Sequence, residues 1–247
     1  MSGVNFVVTF VAMRKSYFVY SLGSQGYFIG IQSVILPVFI FISIHLFSQE
    51  TPEWKEVRES NGIKAYVMKV PDMAQKRVKV ETVTESSLSA LVALMTDASR
   101  HKDWVYANIY AEIVEQIDAY NWVYYGRSDA PWPVSDRDVV TRVHMLQNPV
   151  TKEVVFESVG EPAYLPDCED YVRIPMLHAI WRFTPLGEGK VRVAFELLLD
   201  LGGNMPGWVI NLAATKGPYN SLKDFIDLAH QEPYSNASVA NIKEPGW

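Results

Sequence analysis

Cysteine is nearly absent: Cys168 is the single one in 247 residues. That excludes an internal disulfide and any metal site built from several thiolates, while leaving an oxidising compartment open. Basic residues are also in deficit. There are 22 Lys and Arg against 28 Asp and Glu, a net charge of −6. A chain without a basic stripe is a poor partner for nucleic acid. The short signatures of common enzymes are missing too: no Gly-x-Ser-x-Gly, His-Glu-x-x-His, Walker loop or dinucleotide fingerprint occurs. His45, His101, His144, His178 and His230 are scattered. His101 with Asp97 and Asp103 lacks the spacing of a common metal site and reads as part of a solvated loop. Cys168 sits among Asp167, Glu169 and Asp170, which disfavour its thiolate and make it a poor nucleophile. No metal or cofactor is expected.

Charge is missing altogether from Ser16 to Gln49. Within that stretch Val34–Phe47 (VILPVFIFISIHLF) is the apolar centre, and Arg14-Lys15 supply positive charge upstream. Basic-then-apolar order is that of a secretory signal, and Tyr27–Phe47 is also long enough to cross a bilayer. Leu46 spoils the small-residue cleavage pattern before Ser48, which keeps an uncleaved anchor in play. Met13 is an alternative start. Residues 1–50 are therefore expected to be a signal peptide or membrane anchor, and the protein to be exported or held at a membrane. A buried helix is the rival reading. Its glycines, Pro37 and the lack of a polar face argue against an amphipathic one.

The chain as a whole is 49% apolar and 20% charged, a globular composition. Trp54–Ser60 alternates, Asn61-Gly62 is a hairpin turn, and Ile63–Val70 returns. Gln75–Glu85 alternates with Val78 and Val80 on one face. Ser86 or Ser87 caps a helix to about Thr96. Strands are expected near Ile109–Gln116, Trp122–Asp129, Asp138–Gln147, Val154–Val159, Asp170–Ile174, Leu177–Pro185 and Lys190–Asp200. Gly202-Gly203-Asn204 breaks the last strand, and Pro206 opens a helix to about His230. This order predicts an α+β fold: one curved antiparallel sheet with helices on one side. Residues 51–232 form the domain, and 233–247 read as a tail.

The most informative stretch is Ala130–Arg142, APWPVSDRDVVTR. Pro131 and Pro133 hold Trp132 on a stiff corner, and Ser135–Asp138 form a polar knot at a strand entrance. This stretch resembles the signature of the START domains, the steroidogenic-acute-regulatory-related lipid-transfer family. Arg137-Asp138 matches the family's Arg-Asp pair, and Arg142 stands where the family is expected to place a cavity arginine. Leu197–Ile210 resembles its strand, glycine-proline break and lid helix. The resemblance covers about Glu53–Gln231. It implies a helix-grip fold in which the sheet wraps the C-terminal helix around an apolar tunnel, and it implies lipid binding and transfer with transient membrane contact.

The last helix carries Trp208, Leu212, Thr215, Tyr219, Leu222, Ile226 and Ala229 at alternating spacings of four and three, with Val209, Ala213 and Phe225 widening the stripe. Alone, such a stripe is ordinary core. The resemblance makes it the wall of a ligand cavity, bent at Gly217-Pro218. On the central strand, Asp138, Val140, Arg142 and His144 share one face against Val139, Thr141 and Val143. Alternation leaves open which face is inside. The expected ligand residues are Arg142, Tyr124, Trp132, Trp208, Leu212, Tyr219 and Leu222. Tyr164, Leu165 and Pro166 are the expected gating loop. The alternatives are a cyclase-, aromatase- or hydratase-like enzyme of the same group, with Arg142 or Tyr124 polarising a carbonyl, and an interaction module with a filled core.

Overall fold

The first hairpin sets the pattern. β1 (Lys55–Ser60) and β2 (Ile63–Lys69) pair antiparallel about Asn61 and Gly62, both left-handed at φ 51° and 74°. That is the geometry a two-residue turn needs to match strand twist, and Asn-Gly reaches it at low cost. The computed structural model describes residues 53–73, 75–203 and 205–246. The leader expected over residues 1–50 lies outside them. Among the described residues no helix is long and apolar enough to cross a membrane.

β3 (Lys76–Glu85) buries Val78 and Val80, as its alternation predicts. α1 (Leu88–Thr96) follows. Its first amides are all accounted for: Ser87 Oγ accepts from Ala90 N–H at 3.0 Å, and the Glu244 carboxylate accepts from Leu88 and Ser89 at 3.0 and 2.7 Å. A 3₁₀ turn at Ala98–Asp103 stands where a plain loop was expected. Then come β4 (Asn108–Gln116), β5 (Asn121–Ser128), β6 (Arg137–Gln147), β7 (Val154–Gly160), the short β8 (Val172–Arg173), β9 (Met176–Gly187), β10 (Lys190–Asp200) and α2 (Gly207–Ala229).

Among the described residues these strands form one ten-stranded sheet, ordered β1-β2-β3-β10-β9-β7-β6-β5-β4, with β8 off the path beside β6. Every pair is antiparallel except β6–β8. The expected curved antiparallel sheet with a C-terminal helix is therefore present. α2 and α1 pack on one face. There Trp181 stacks on Phe195 with centroids 4.3 Å apart, Phe183 lies against Phe225, and Trp104 meets Phe225 edge-on at 4.9 Å. Burying each such ring contributes about 1.5–3 kcal/mol, enough for this cluster to hold α2 on the sheet.

α2 is not uniform. Beyond Gly217 it buries Tyr219, Ser221, Leu222, Phe225, Leu228 and Ala229. In its first half only Val209 is buried, and Trp208 is 53% exposed. Pro218 has no N–H for the preceding turn, so the helix loses a hydrogen bond between these halves. The segment after Gln231, whose composition suggests a tail, lies on the domain instead: Tyr234 and Ile242 are buried, and Tyr234 donates to Asp97 at 2.6 Å.

Candidate ligand cavity

A cavity of about 290 Å³ lies between the helix-bearing face of the sheet and α2, near the lower end of the ~300–1,000 Å³ typical of small-molecule sites. Its walls are mostly apolar: Val139 and Val143 from β6, Leu197 and Leu199 from β10, Val209 and Leu212 from α2. Period-two alternation decides which strand residues reach it. On β5 the cavity side carries Trp122, Tyr124 and Ser128; on β6 it carries Arg137, Val139, Thr141 and Val143.

Of the expected ligand residues, Tyr124 and Leu212 line this space. The others do not. Arg142 belongs to the opposite face of β6, where its guanidinium meets the Glu161 carboxylate at 2.6 and 2.9 Å and is partly solvated. The Arg-Asp pair places residues 137, 139, 141 and 143 inward, so a residue five positions after Arg137 must point outward. Trp132 is 89% exposed, although Pro131 beside it lines the cavity. Trp208 is exposed because the inward stripe of the first half of α2 runs through Val209, Leu212 and Ala213, one position round from the expected one. Tyr219 turns to the first hairpin, accepting from Asn61 Nδ2 at 3.2 Å under the Arg58 guanidinium. Leu222 is fully buried in the main core.

The expected gating loop lies on the far side of the sheet. Leu165 packs against Val123, Tyr125 and Val140, and the Tyr164 hydroxyl bonds to Glu115. Arg173 pins the loop through the carbonyls of Pro162, Leu165 and Pro166 while holding both Asp138 oxygens at 2.9 Å. Asp138 is 1% exposed. The pair is bidentate and dry, the geometry in which an ion pair is strongest and least tolerant of losing one member. Asp136 accepts from Ala130 N–H at 2.9 Å, as expected of a knot that satisfies its own turn.

Other cavity residues were not anticipated. Arg137 is 5% exposed and lines the space. Its guanidinium donates to the carbonyls of Ser135, Leu201 and Gly202 and to Met205 Sδ, tying the Pro-Trp-Pro loop to the break before α2. Burial lowers its pKa from the ordinary arginine value. His101, read from sequence as solvated, is a cavity residue. Its ring sits 4.9 Å from Trp104 and 5.2 Å from Tyr124, and burial pushes its pKa down. Burial likewise drives the Tyr124 phenol well above its usual value, so it stays protonated. Trp104 and Asn108 complete this end. The polar 97–105 stretch hid His101 and Trp104, because a loop rich in Asp, Lys and Arg does not announce which of its members face inward.

The chain belongs to the START domain family, whose profile matches residues 42–232. It is 28% identical over 171 residues to an uncharacterized protein of Pseudomonas aeruginosa, covering 69% of this chain and 84% of that one. It is also 28% identical over 180 residues to the Bos taurus phosphatidylcholine transfer protein, covering 70% and 82%. Among solved structures, a fragment of the STAR-related lipid transfer protein from Xanthomonas axonopodis superposes with a TM-score of 0.67 at 25% identity, covering 72% of this chain and 99% of the fragment. Human STARD10 superposes at 0.65 with 18% identity, covering 73% and 74%, a likeness of fold.

Proposed function

We propose that this START domain binds one lipid or similar hydrophobic molecule in the cavity under α2 and transfers it between membranes, without making or breaking bonds. The observation that carries this is the apolar cavity itself, in a family whose relatives include named lipid transfer proteins. Each CH₂ moved from water into such a space contributes about 0.8 kcal/mol, so a hydrocarbon chain supplies most of its own affinity. A two-chain guest needs more room, and the first half of α2 can yield it: that half is mostly exposed, and Pro218 removes a helical hydrogen bond at its end. Trp132, Trp208 and Ile210 are exposed beside the cavity-lining Pro131 and Val209. Aromatic and aliphatic side chains so placed suit transient contact with a membrane surface. We place the protein outside the cytoplasm or anchored at a membrane, on the strength of the basic and apolar leader.

Native mass spectrometry of the protein purified from its host tests the binding. A co-purifying hydrophobic mass that organic extraction recovers is the expected result. A protein that carries none, and takes up none from phosphatidylcholine vesicles, overturns it. Cell fractionation with N-terminal sequencing tests the location, and an intact 16–49 segment in the soluble cytoplasmic fraction refutes it.

A further inference from the structure

Two residues of the cavity wall each carry a buried polar atom with no hydrogen-bond partner among the described residues: the indole Nε1 of Trp104 and the amide Oδ1 of Asn108. Their residues are 4% and 8% exposed. An unmade hydrogen bond at a buried group is far more costly than an average made one is favourable, so such atoms call for a partner. One is purely a donor and the other purely an acceptor. The amide orientation is set by Nδ2, which donates to the Tyr110 carbonyl at 3.1 Å and to the Tyr124 hydroxyl at 3.4 Å. Flipping it would set oxygen against a carbonyl oxygen. The Tyr124 hydroxyl therefore accepts here, and its own hydrogen has no acceptor among the described residues. Gly126 makes room for that ring: a Cβ there would stand 2.8 Å from the Tyr124 hydroxyl oxygen.

Among the described residues no cation serves these atoms. His101 bonds the Met95 carbonyl through Nε2 at 3.0 Å, which makes that nitrogen the protonated one of a neutral ring. Arg137 directs its donors to the 135, 201 and 202 carbonyls and to Met205. A phosphate or carboxylate at this end would lack charge compensation and would face Asn108 Oδ1.

We propose that Trp104 Nε1, Asn108 Oδ1 and the Tyr124 hydroxyl form a subsite for an uncharged group that both accepts and donates hydrogen bonds, as the hydroxyl of a long-chain alcohol does. The proposal rests on the cavity being a ligand site. A hydroxyl accepts from the indole or the phenol and donates to the amide oxygen. An ether can only accept, and leaves Asn108 Oδ1 unmet.

The test is competition between equimolar dodecanol and its methyl ether for the purified protein, with occupancy read by native mass spectrometry and dodecane and dodecanoate as further competitors. Dodecanol should exceed the ether by about tenfold, the worth of one buried hydrogen bond, and dodecanoate should bind worse than dodecanol. Asn108→Leu should bring alcohol and ether to parity. Trp104→Phe, which keeps the ring, should weaken both relative to dodecane. Each comparison is a ratio within one protein sample, so a loss of stability cancels; if Trp104→Phe does not fold, the Asn108 comparison decides alone. Equal binding of alcohol and ether by the wild type, or preference for dodecanoate, overturns the subsite while leaving the cavity a ligand site. Binding of none of the four overturns both.

Discussion

Removing the Asp138 carboxylate should do far more damage than removing the Arg142 guanidinium, although Arg142 is the residue that the resemblance singles out. The Asp138 side chain is 0% exposed and that of its partner Arg173 is 9%. Asp138→Ala leaves a buried guanidinium with three carbonyls and, as its counter-charge, only the solvated Asp167 carboxylate 4.0 Å away. Breaking a buried pair in this one-sided way costs about 3–5 kcal/mol. Typical domains have only about 5–15 kcal/mol to lose. With a urea dependence of about 2 kcal/mol per molar, the midpoint of unfolding should fall by about 1.5–2.5 M. Arg142→Ala removes a pair whose side chains are 41% and 32% exposed, where water replaces the lost contact, and its midpoint should stay within error of the wild type. Equilibrium unfolding of both variants, followed by tryptophan fluorescence, decides. Equal shifts, or a larger one for Arg142→Ala, would refute the assignment of Asp138 as a buried pillar and Arg142 as surface.

Ala213→Trp should fill the cavity from α2, abolishing co-purification of a hydrophobic ligand while leaving the unfolding midpoint near the wild-type value; native mass spectrometry and urea titration read the two separately. Glu244→Ala strips the carboxylate from two α1 amides and should cost about 1 kcal/mol, seen as a lowered urea midpoint. Tyr234 is held up to about 12 by burial, its hydrogen bond to Asp97 and that group's charge. A phenol whose folded value exceeds its unfolded value of about 10 stabilises fully below 10 and loses that contribution as pH climbs to 12. Tyr234→Phe should therefore flatten the alkaline decline in stability across that window, and an unchanged decline would count against the assignment.

Much of the fold was legible because its signals are local. Asn61-Gly62 names its own turn, Ser87 its own cap, and the period-two runs their own strands. The helix after Pro206 was legible too, but its inward stripe was not, since Trp208 invited a reading that the structure refuses. An aromatic ring attracts a burial assignment by size alone, whereas Val209, Leu212 and Ala213, smaller and less conspicuous, face the cavity. The packed segment after Gln231 was illegible for the same reason: two buried residues, Tyr234 and Ile242, and one capping carboxylate fix it among many solvated ones.

The position of Arg142 shows what alternation omits and what completes it. Period two sorts a strand into two faces but does not say which is inward when both hold apolar residues. Charge does. On β6 one face reads Asp138, Val140, Arg142, His144 and the other Val139, Thr141, Val143; on β7 Glu157 opposes Phe156 and Ser158; on β9 His178 and Arg182 oppose Leu177, Ala179 and Trp181; on β10 Arg192 and Glu196 oppose Val193, Phe195 and Leu197. In every case the face with fewer charges is the one that lines the cavity or packs beneath it. The reason is the cost of a charge in an apolar space, which few sites can offset. The outer face therefore collects the ion pairs of Arg142 with Glu161, Arg173 with Asp138 and Arg77 with Glu196, all at distances that let each charge meet its opposite. Arg137 is the exception that the rule accommodates, because backbone carbonyls surround it. On the proposed reading, a sheet sorted this way solvates a guest with hydrocarbon and a few neutral dipoles, and ligand selection rests with Trp104, Asn108 and Tyr124 rather than with an arginine.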